Sequence, residues 1–322
     1  MDTVAHDTSP AGARSRTATG LGFALASALA FGLAGALARP LLDAGWSPGA
    51  TTLVRVALGA LIVVPFGLHA LRGQWGLLRR NAGLIALYGL LAVTAAQFCY
   101  FSAVKHMPVA PALLIEFTAP AAVVVFLWLV HGQRPRPITL VGAGVAALGL
   151  VLVLDLLSGS DLSTVGVLWA LGAMVGCASY FIISADESNG LPPLTLAAGG
   201  LTVGTVALGL LGLVGLLPME AATRSVEYAG VGVDWWVPVL GLGLVTAALS
   251  YTLGIAAIRR LGSRLASFVA LTEVLSGVLW AWILLDELPR TVQVVGGALI
   301  VLGVVGVKLG ERELDRPEPV AV

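Results

Sequence analysis

Ten apolar stretches, each long enough to cross a lipid bilayer, follow one another along this chain of 322 residues with little between them. A helical span needs roughly 17–25 predominantly apolar residues. The stretches fall at 20–38, 49–68, 82–103, 109–130, 138–156, 164–184, 193–217, 235–258, 264–285 and 291–309. Helix-breaking or charged punctuation separates them: Arg39-Pro40, Arg79-Arg80-Asn81, His106-Met107-Pro108, Arg134-Pro135-Arg136-Pro137, Asn189-Gly190 and Arg259-Arg260-Leu261-Gly262. The longest connection, about Pro218–Asp234, leaves no room for a soluble catalytic domain. The chain is 58% hydrophobic and 11% charged, with a mean hydropathy of +0.95. A soluble domain carries about 25% charged residues. A water-soluble fold could not hide this much apolar surface, whereas lipid accommodates it. In lipid each segment must satisfy its own backbone hydrogen bonds, so the spans are helices. The sequence therefore predicts an all-α integral membrane protein with ten transmembrane helices, the lipid bilayer being its first partner.

Charge and cysteine content narrow the remaining classes. The net charge is zero, which points to no nucleic-acid partner. Cys99 and Cys177 both sit within apolar runs and lack metal-ligand spacing, so they read as small hydrophobic residues. No metal and no cofactor is expected. Arg14, Arg16 and the run 20–37 imitate a secretory signal, with Ala36-Leu37-Ala38 as a cleavage site. The run is long enough to span and has a partner later in the chain, so we read it as a retained first helix.

Lys and Arg fix an expected orientation. With the N-terminus inside, the inside segments hold Arg14, Arg16, Arg72, Arg79, Arg80, Arg134, Arg136, Arg259, Arg260, Arg264, Lys308, Arg312 and Arg316. The outside segments hold only Arg39, Lys105, Arg224 and Arg290. This positive-inside bias predicts that both termini are cytoplasmic, in a plasma-membrane protein.

The chain also repeats itself at an offset of 154 residues. Thr118 then meets Thr272, Trp128 meets Trp282, Pro135-Arg136 meets Pro289-Arg290, Gly142 meets Gly296 and Gly149 meets Gly303. Each half holds five helices, an odd number, so the second half must insert upside down. Inverted repeats are the pattern of alternating-access carriers, whose two gates are equivalent pieces facing opposite ways. The predicted organisation is a tail 1–19, a first repeat 20–157, a second repeat 163–309 and a tail 310–322, both tails cytoplasmic.

The doubled five-helix plan resembles the EamA-type branch of the drug/metabolite transporter superfamily. So do Leu114-Ile115-Glu116-Phe117-Thr118-Ala119-Pro120 and the segment Leu285-Asp286-Glu287-Leu288-Pro289, with Gln293-Val294-Val295-Gly296-Gly297-Ala298-Leu299-Ile300 after it. The resemblance covers about Gly20 to Leu309, and in the first half Gln133 stands where the second has Glu287. It implies a ten-helix carrier of two inverted EamA-like repeats around a central cavity, commonly exporting amino acids or small metabolites.

Ionisable groups within spans are costly and mark function by default. Arg55, Glu116 and Glu273 are such groups. At 1.5 Å per residue, Glu116 lies about 10 Å from the outer end of helix four, and Glu273 about 12 Å from the inner end of helix nine. One carboxylate is thus expected to be reachable from each side, binding a cationic group or a coupled proton, although either acid could instead be structural glue between helices. Arg55 either snorkels to the outer interface or pairs with a carboxylate. Gln97, Tyr100, Tyr180, Ser250 and Tyr251 are candidate cavity-lining residues, and Gln97 and Tyr251 are repeat equivalents. Trp280 and Trp282 read as interface-belt residues and His106 as a solvated loop residue. Gly172/Gly176, Gly200/Gly204 and Gly306/Gly310 have GxxxG spacing, which permits close helix packing within the bundle or in a homodimer.

With no nucleotide-binding loop or hydrolytic motif, the expected function is secondary active transport, in the direction of export, of a small-molecule substrate such as an amino acid. Drug or quaternary-amine efflux is the alternative within this class. A membrane-embedded enzyme or a non-transporting sensor is the alternative outside it. The enzyme should show clustered His/Asp ligands, and the sensor a soluble output domain.

Overall fold

The computed structural model describes residues 10–119, 137–153, 163–185, 188–270 and 272–312. Its helices are α1 (Pro10–Asp43), α2 (Pro48–Leu71), α3 (Ala82–His106), α4 (Val109–Glu116), α5 (Pro137–Val153), α6 (Thr164–Ala185) and α7 (Pro193–Leu213). Then come α8 (Trp236–Gly243, continuing through Leu244–Leu249 into Ser250–Ala270), α9 (Thr272–Leu285) and α10 (Thr291–Arg312). A short helix, Trp75–Arg80, joins α2 to α3. Among the described residues six helices are long and apolar enough to cross a membrane, and shorter apolar helices occur at Leu140–Gly149, Thr272–Leu285 and Thr291–Gly303. The protein is a multi-pass helical membrane protein. The second half of the expected fourth helix, with Trp128, Gln133, Pro135 and Arg136, lies outside the described residues, as do Gly159 and Arg316.

Three local expectations change. Arg39-Pro40 does not end the first helix: Pro40 sits in its last turns, and the chain stays helical to Asp43. Pro40 forfeits one backbone bond, but its carbonyl still accepts from Ala44 N at 2.9 Å. Arg259–Gly262 is helical rather than a turn, and α8 is helical as far as Ala270. The 218–234 connection, read only as a loop, contains a hairpin of β1 (Val226–Tyr228) and β2 (Val231–Val233). Its two-residue turn, Ala229-Gly230, has φ of 46° and 79°, the mirror-image geometry that matches strand twist.

The connections sort to two ends of the bundle. At the hairpin end, Trp46 Nε1 donates to Ala222 O at 2.8 Å and the Tyr228 hydroxyl donates to Leu37 O at 2.7 Å. The corner between α3 and α4 is at this end too. At the terminal end, Asn81 Nδ2 donates to Asn189 O at 3.0 Å, and Arg259 donates to Leu191 O at 3.0 Å.

The helix contacts obey the exchange of one repeat for the other. The contact of α1 with α8 is matched by that of α6 with α3, and α1 on α9 by α6 on α4, while α2 packs on α7 and α5 on α10. Glycine makes the last pairing close. A Cβ on Gly149 would lie 2.5 Å from the Gly296 carbonyl, and one on Gly303 would lie 2.5 Å from the Gly142 carbonyl. These four glycines are two repeat-equivalent pairs, so a pseudo-twofold axis passes between α5 and α10. The GxxxG glycines also serve the bundle: Gly172 and Gly176 face Cys99 and Ala96 of α3, and Gly200 and Gly204 face Tyr88 and Thr94. Gly149→Leu should force the two backbones apart and destabilise the fold by about 1–3 kcal/mol. Gly144→Ala, where a Cβ meets nothing within 4 Å, should be neutral. The thermal-unfolding midpoint of both variants in detergent checks this.

Candidate transport site

The site is built on three places where a helix departs from regular α geometry. α2 is the regular element that meets them. Ser47 caps its N-terminus, accepting from Ala50 N at 3.2 Å, and Pro48 follows at the first helical positions. This fixed start carries Arg55 two turns into the bundle, where it is 1% exposed.

Arg55 neither snorkels nor pairs directly with a carboxylate. Its guanidinium donates to Gln97 Oε1 of α3 and, at 2.5 Å, to Thr246 O of α8. It also lies over the rings of Phe31, at 5.9 Å, and Phe101, at 5.5 Å. Its Nε is buried and has no hydrogen-bond partner among the described residues.

Both anchors of Arg55 belong to π-helical stretches, Tyr88–Ala95 in α3 and Leu244–Leu249 in α8. At the 154-residue offset these coincide. A π-turn takes an extra residue and leaves backbone carbonyls less fully used. Thr94 Oγ1 answers one by donating to Gly89 O at 2.8 Å. Thr246 O accepts from Arg55 and from Ser250 Oγ at 2.7 Å. Ser250 is thus used within α8, and its carbonyl accepts from Ser27 Oγ.

The third departure is a break. α4 ends at Glu116, and Phe117 leaves the helix with φ −77° and ψ 8°. Thr118 Oγ1 then donates to Ile115 O at 2.7 Å. Glu116 therefore sits at the last turn before the break. At the repeat-equivalent place Thr272 Oγ1 donates to Val269 O at 2.6 Å, and Glu273 follows it.

Glu116, Glu273, Arg55, Gln97 and Tyr100 line one small cavity of about 20 Å³, together with Phe31, Ala34 and Leu113. Both carboxylates therefore border the same cavity. The Tyr100 hydroxyl is buried and has no partner among the described residues. Tyr251 and Tyr180 do not line the cavity. Tyr251 meets Phe31 edge-on at 5.0 Å and Tyr180 at 6.2 Å, forming an aromatic layer toward the terminal end. Trp280 donates to Leu29 O and ties α9 to α1, whereas Trp282 is exposed, as a belt residue should be. His106 is exposed, but on the last turn of α3. No group of three metal-ligating side chains occurs among the described residues. Sequence reasoning missed Phe31, Phe101 and the Thr246 carbonyl. A mid-span aromatic facing Arg55 could have been suspected; a carbonyl exposed by a π-turn leaves no mark in the sequence.

Known proteins share this plan. A crystal structure 22% identical in sequence superposes with a TM-score of 0.61, covering 94% of this chain and 98% of its own. The threonine/homoserine exporter RhtA of Salmonella typhimurium strain SL1344 is 28% identical over 291 residues, 88% of each chain. RhtA of Escherichia coli K12 is 28% identical over 285 residues, 86% of this chain and 87% of its own. An uncharacterised transporter of Archaeoglobus fulgidus is 26% identical over 255 residues, 79% and 84% of the two chains. The EamA-like transporter family matches twice, at residues 18–155 and 164–309, and with both halves of the chain so covered, this membrane protein belongs to that family of transporters.

Proposed function

We propose that the protein is a secondary active exporter of amino acids, or of similarly small polar metabolites, working by alternating access in the plasma membrane. The observation that carries this reading is the charge pattern of the cavity. One side offers a guanidinium whose buried Nε has no hydrogen-bond partner among the described residues, with a neighbouring phenol, and another offers two carboxylates. An α-amino acid presents the complementary pair, a carboxylate for Arg55 and Tyr100 and an ammonium for Glu116 or Glu273. Broken helices at the interface of inverted repeats are where carriers place such sites. The likeness to the threonine/homoserine exporters agrees in substrate class.

Drug or quaternary-amine efflux is the second reading, favoured by Phe31 and Tyr100 beside two acids. Arg55 argues against it, because a bare cation would enter a cavity that already holds a buried positive charge. With both acids ionised the three charges sum to −1, so a zwitterion leaves room for one proton, and we infer proton coupling. In this scheme ten helices cross the membrane with both termini cytoplasmic, so the hairpin end faces out. Thiol labelling of single cysteines at Arg224 and Asn189 tests the orientation: Arg224 should label from outside and Asn189 only from inside. The reverse pattern would invert the protein.

Metabolite profiling of medium from cells with and without the protein should show amino acids enriched outside. Glu116→Gln and Glu273→Gln keep shape but lose charge. Each should lower export roughly tenfold or more, the scale of a lost charged hydrogen bond, with folded protein at wild-type amounts. Wild-type rates and unchanged pH dependence in both variants would make the acids structural.

A further inference from the structure

The corner between α3 and α4 closes the cavity at the hairpin end, and two charges hold it. Tyr100 and Glu116 sit seven residues from Met107 and Val109 respectively, about 10 Å along each helix. Val104, Met107, Val109 and Leu113 are all buried in one apolar cluster with Ala34, Ala38 and Leu41 of α1. This cluster separates the cavity from the hairpin end.

A helix C-terminus leaves unpaired carbonyls and attracts cations, and a helix N-terminus leaves unpaired N–H groups and attracts anions. The corner presents both and receives both. Arg39 of α1 donates from one nitrogen to Val104 O at 2.9 Å and Met107 O at 3.0 Å, and its Nε pairs with Asp43 at 3.0 Å. Glu287 accepts from Val109 N at 3.2 Å, capping the start of α4. The chain is bent to deliver it. Asp286 ends α9 in the left-handed region, φ 58°, with its N–H bonded to Trp282 O at 3.1 Å. An inverted repeat should supply the same clamp at the other end, yet α6, the counterpart of α1, carries no Lys or Arg over Thr164–Ala185, and Gln133 stands in the sequence at the position equivalent to Glu287. Neither charge recurs.

We infer that Arg39 and Glu287 are positioning residues that latch the α3–α4 corner over the cavity, making a charged gate at the hairpin end. The inference rests on the alternating-access reading and its orientation. Opening toward the hairpin end must break both caps, and because α4 carries Glu116, the latch and the site move as one helix.

The latch also has a pH sense. The charged groups facing Glu287 are Arg39 and Asp43 of α1, with the Val109 N–H of α4; Tyr100 of α3 lies within electrostatic reach. Asp286 and Arg290 flank it in its own segment, and Lys105 and His106 are exposed at the end of α3. Burial pushes the Glu287 carboxyl up, partly offset by the Val109 N–H and Arg39. The closed corner therefore holds a proton more tightly than a hydrated, open one. Acid on the outside favours closure, and opening gains as pH rises through the raised range.

The test is accessibility, which does not depend on knowing the substrate. Leu113→Cys, in a protein with Cys99 and Cys177 replaced by Ala, reports on the cavity through a membrane-impermeant thiol reagent applied outside. Arg39→Ala and Glu287→Ala should each raise its labelling rate roughly tenfold, as loss of a charged cap shifts a two-state gate. Arg39→Lys should restore part of the closure. Glu287→Gln, which still accepts from Val109, should stay closed and lose the pH dependence, while His106→Gln should keep it. Should an alanine variant fail to fold, the two conservative variants carry the test. Unchanged labelling in the alanine variants, or pH dependence surviving in Glu287→Gln, overturns the latch. Absence of amino-acid export with these labelling results intact would overturn only the substrate assignment.

Discussion

Lipid offers no hydrogen bonds, and a backbone that leaves regular helical geometry inside it must find partners within the protein. That constraint orders the centre of this molecule. Each departure is paired with a nearby side chain: Thr118 at the break after Glu116, Thr94 in one π-turn, Ser250 and Arg55 on the other. The polar groups gathered for this purpose line or border the cavity. Irregular backbone and a polar chamber are, in this bundle, consequences of the same requirement.

Arg55 shows how far the requirement reaches. A guanidinium out of contact with water needs acceptors and polarisable neighbours, and it takes them from α1, α3 and α8. It ties the π-turn of one repeat to that of the other. Its terminal nitrogens make this bridge, so one side chain joins the halves while lining the cavity.

Much of this was legible in the sequence because lipid makes strong demands on composition. Apolar run lengths located the helices, and the matches of Thr118 with Thr272 and Gly149 with Gly303 announced the repeat. Arg55, Glu116, Glu273, Gln97 and Tyr100 stood out as polar residues in apolar runs, and the structure gathers those five around one chamber. Depth was less legible. Arg259–Gly262 has the composition of a turn, yet the chain stays helical there. The π-turns were invisible, since Tyr88–Ala95 reads as ordinary apolar helix. The hairpin was missed because two three-residue strands leave too short a pattern to separate from a polar loop.

The π-turns bear on how such a chain can change over evolutionary time. Each stores one residue more than a regular helix of the same rise would need, and the side chains beyond it face the bundle only because that residue is there. Deleting any single residue within Tyr88–Ala95 would let α3 relax to a continuous α-helix without shortening its reach across the membrane. Every side chain on one side of the deletion, Gln97 and Tyr100 or those before it, would turn by about 100° relative to the other. The protein could still span and pack while presenting a different set of residues to its cargo. Length variation here is a rotary control on what the chamber displays, and the matching turn in α8 gives the second repeat a control of its own.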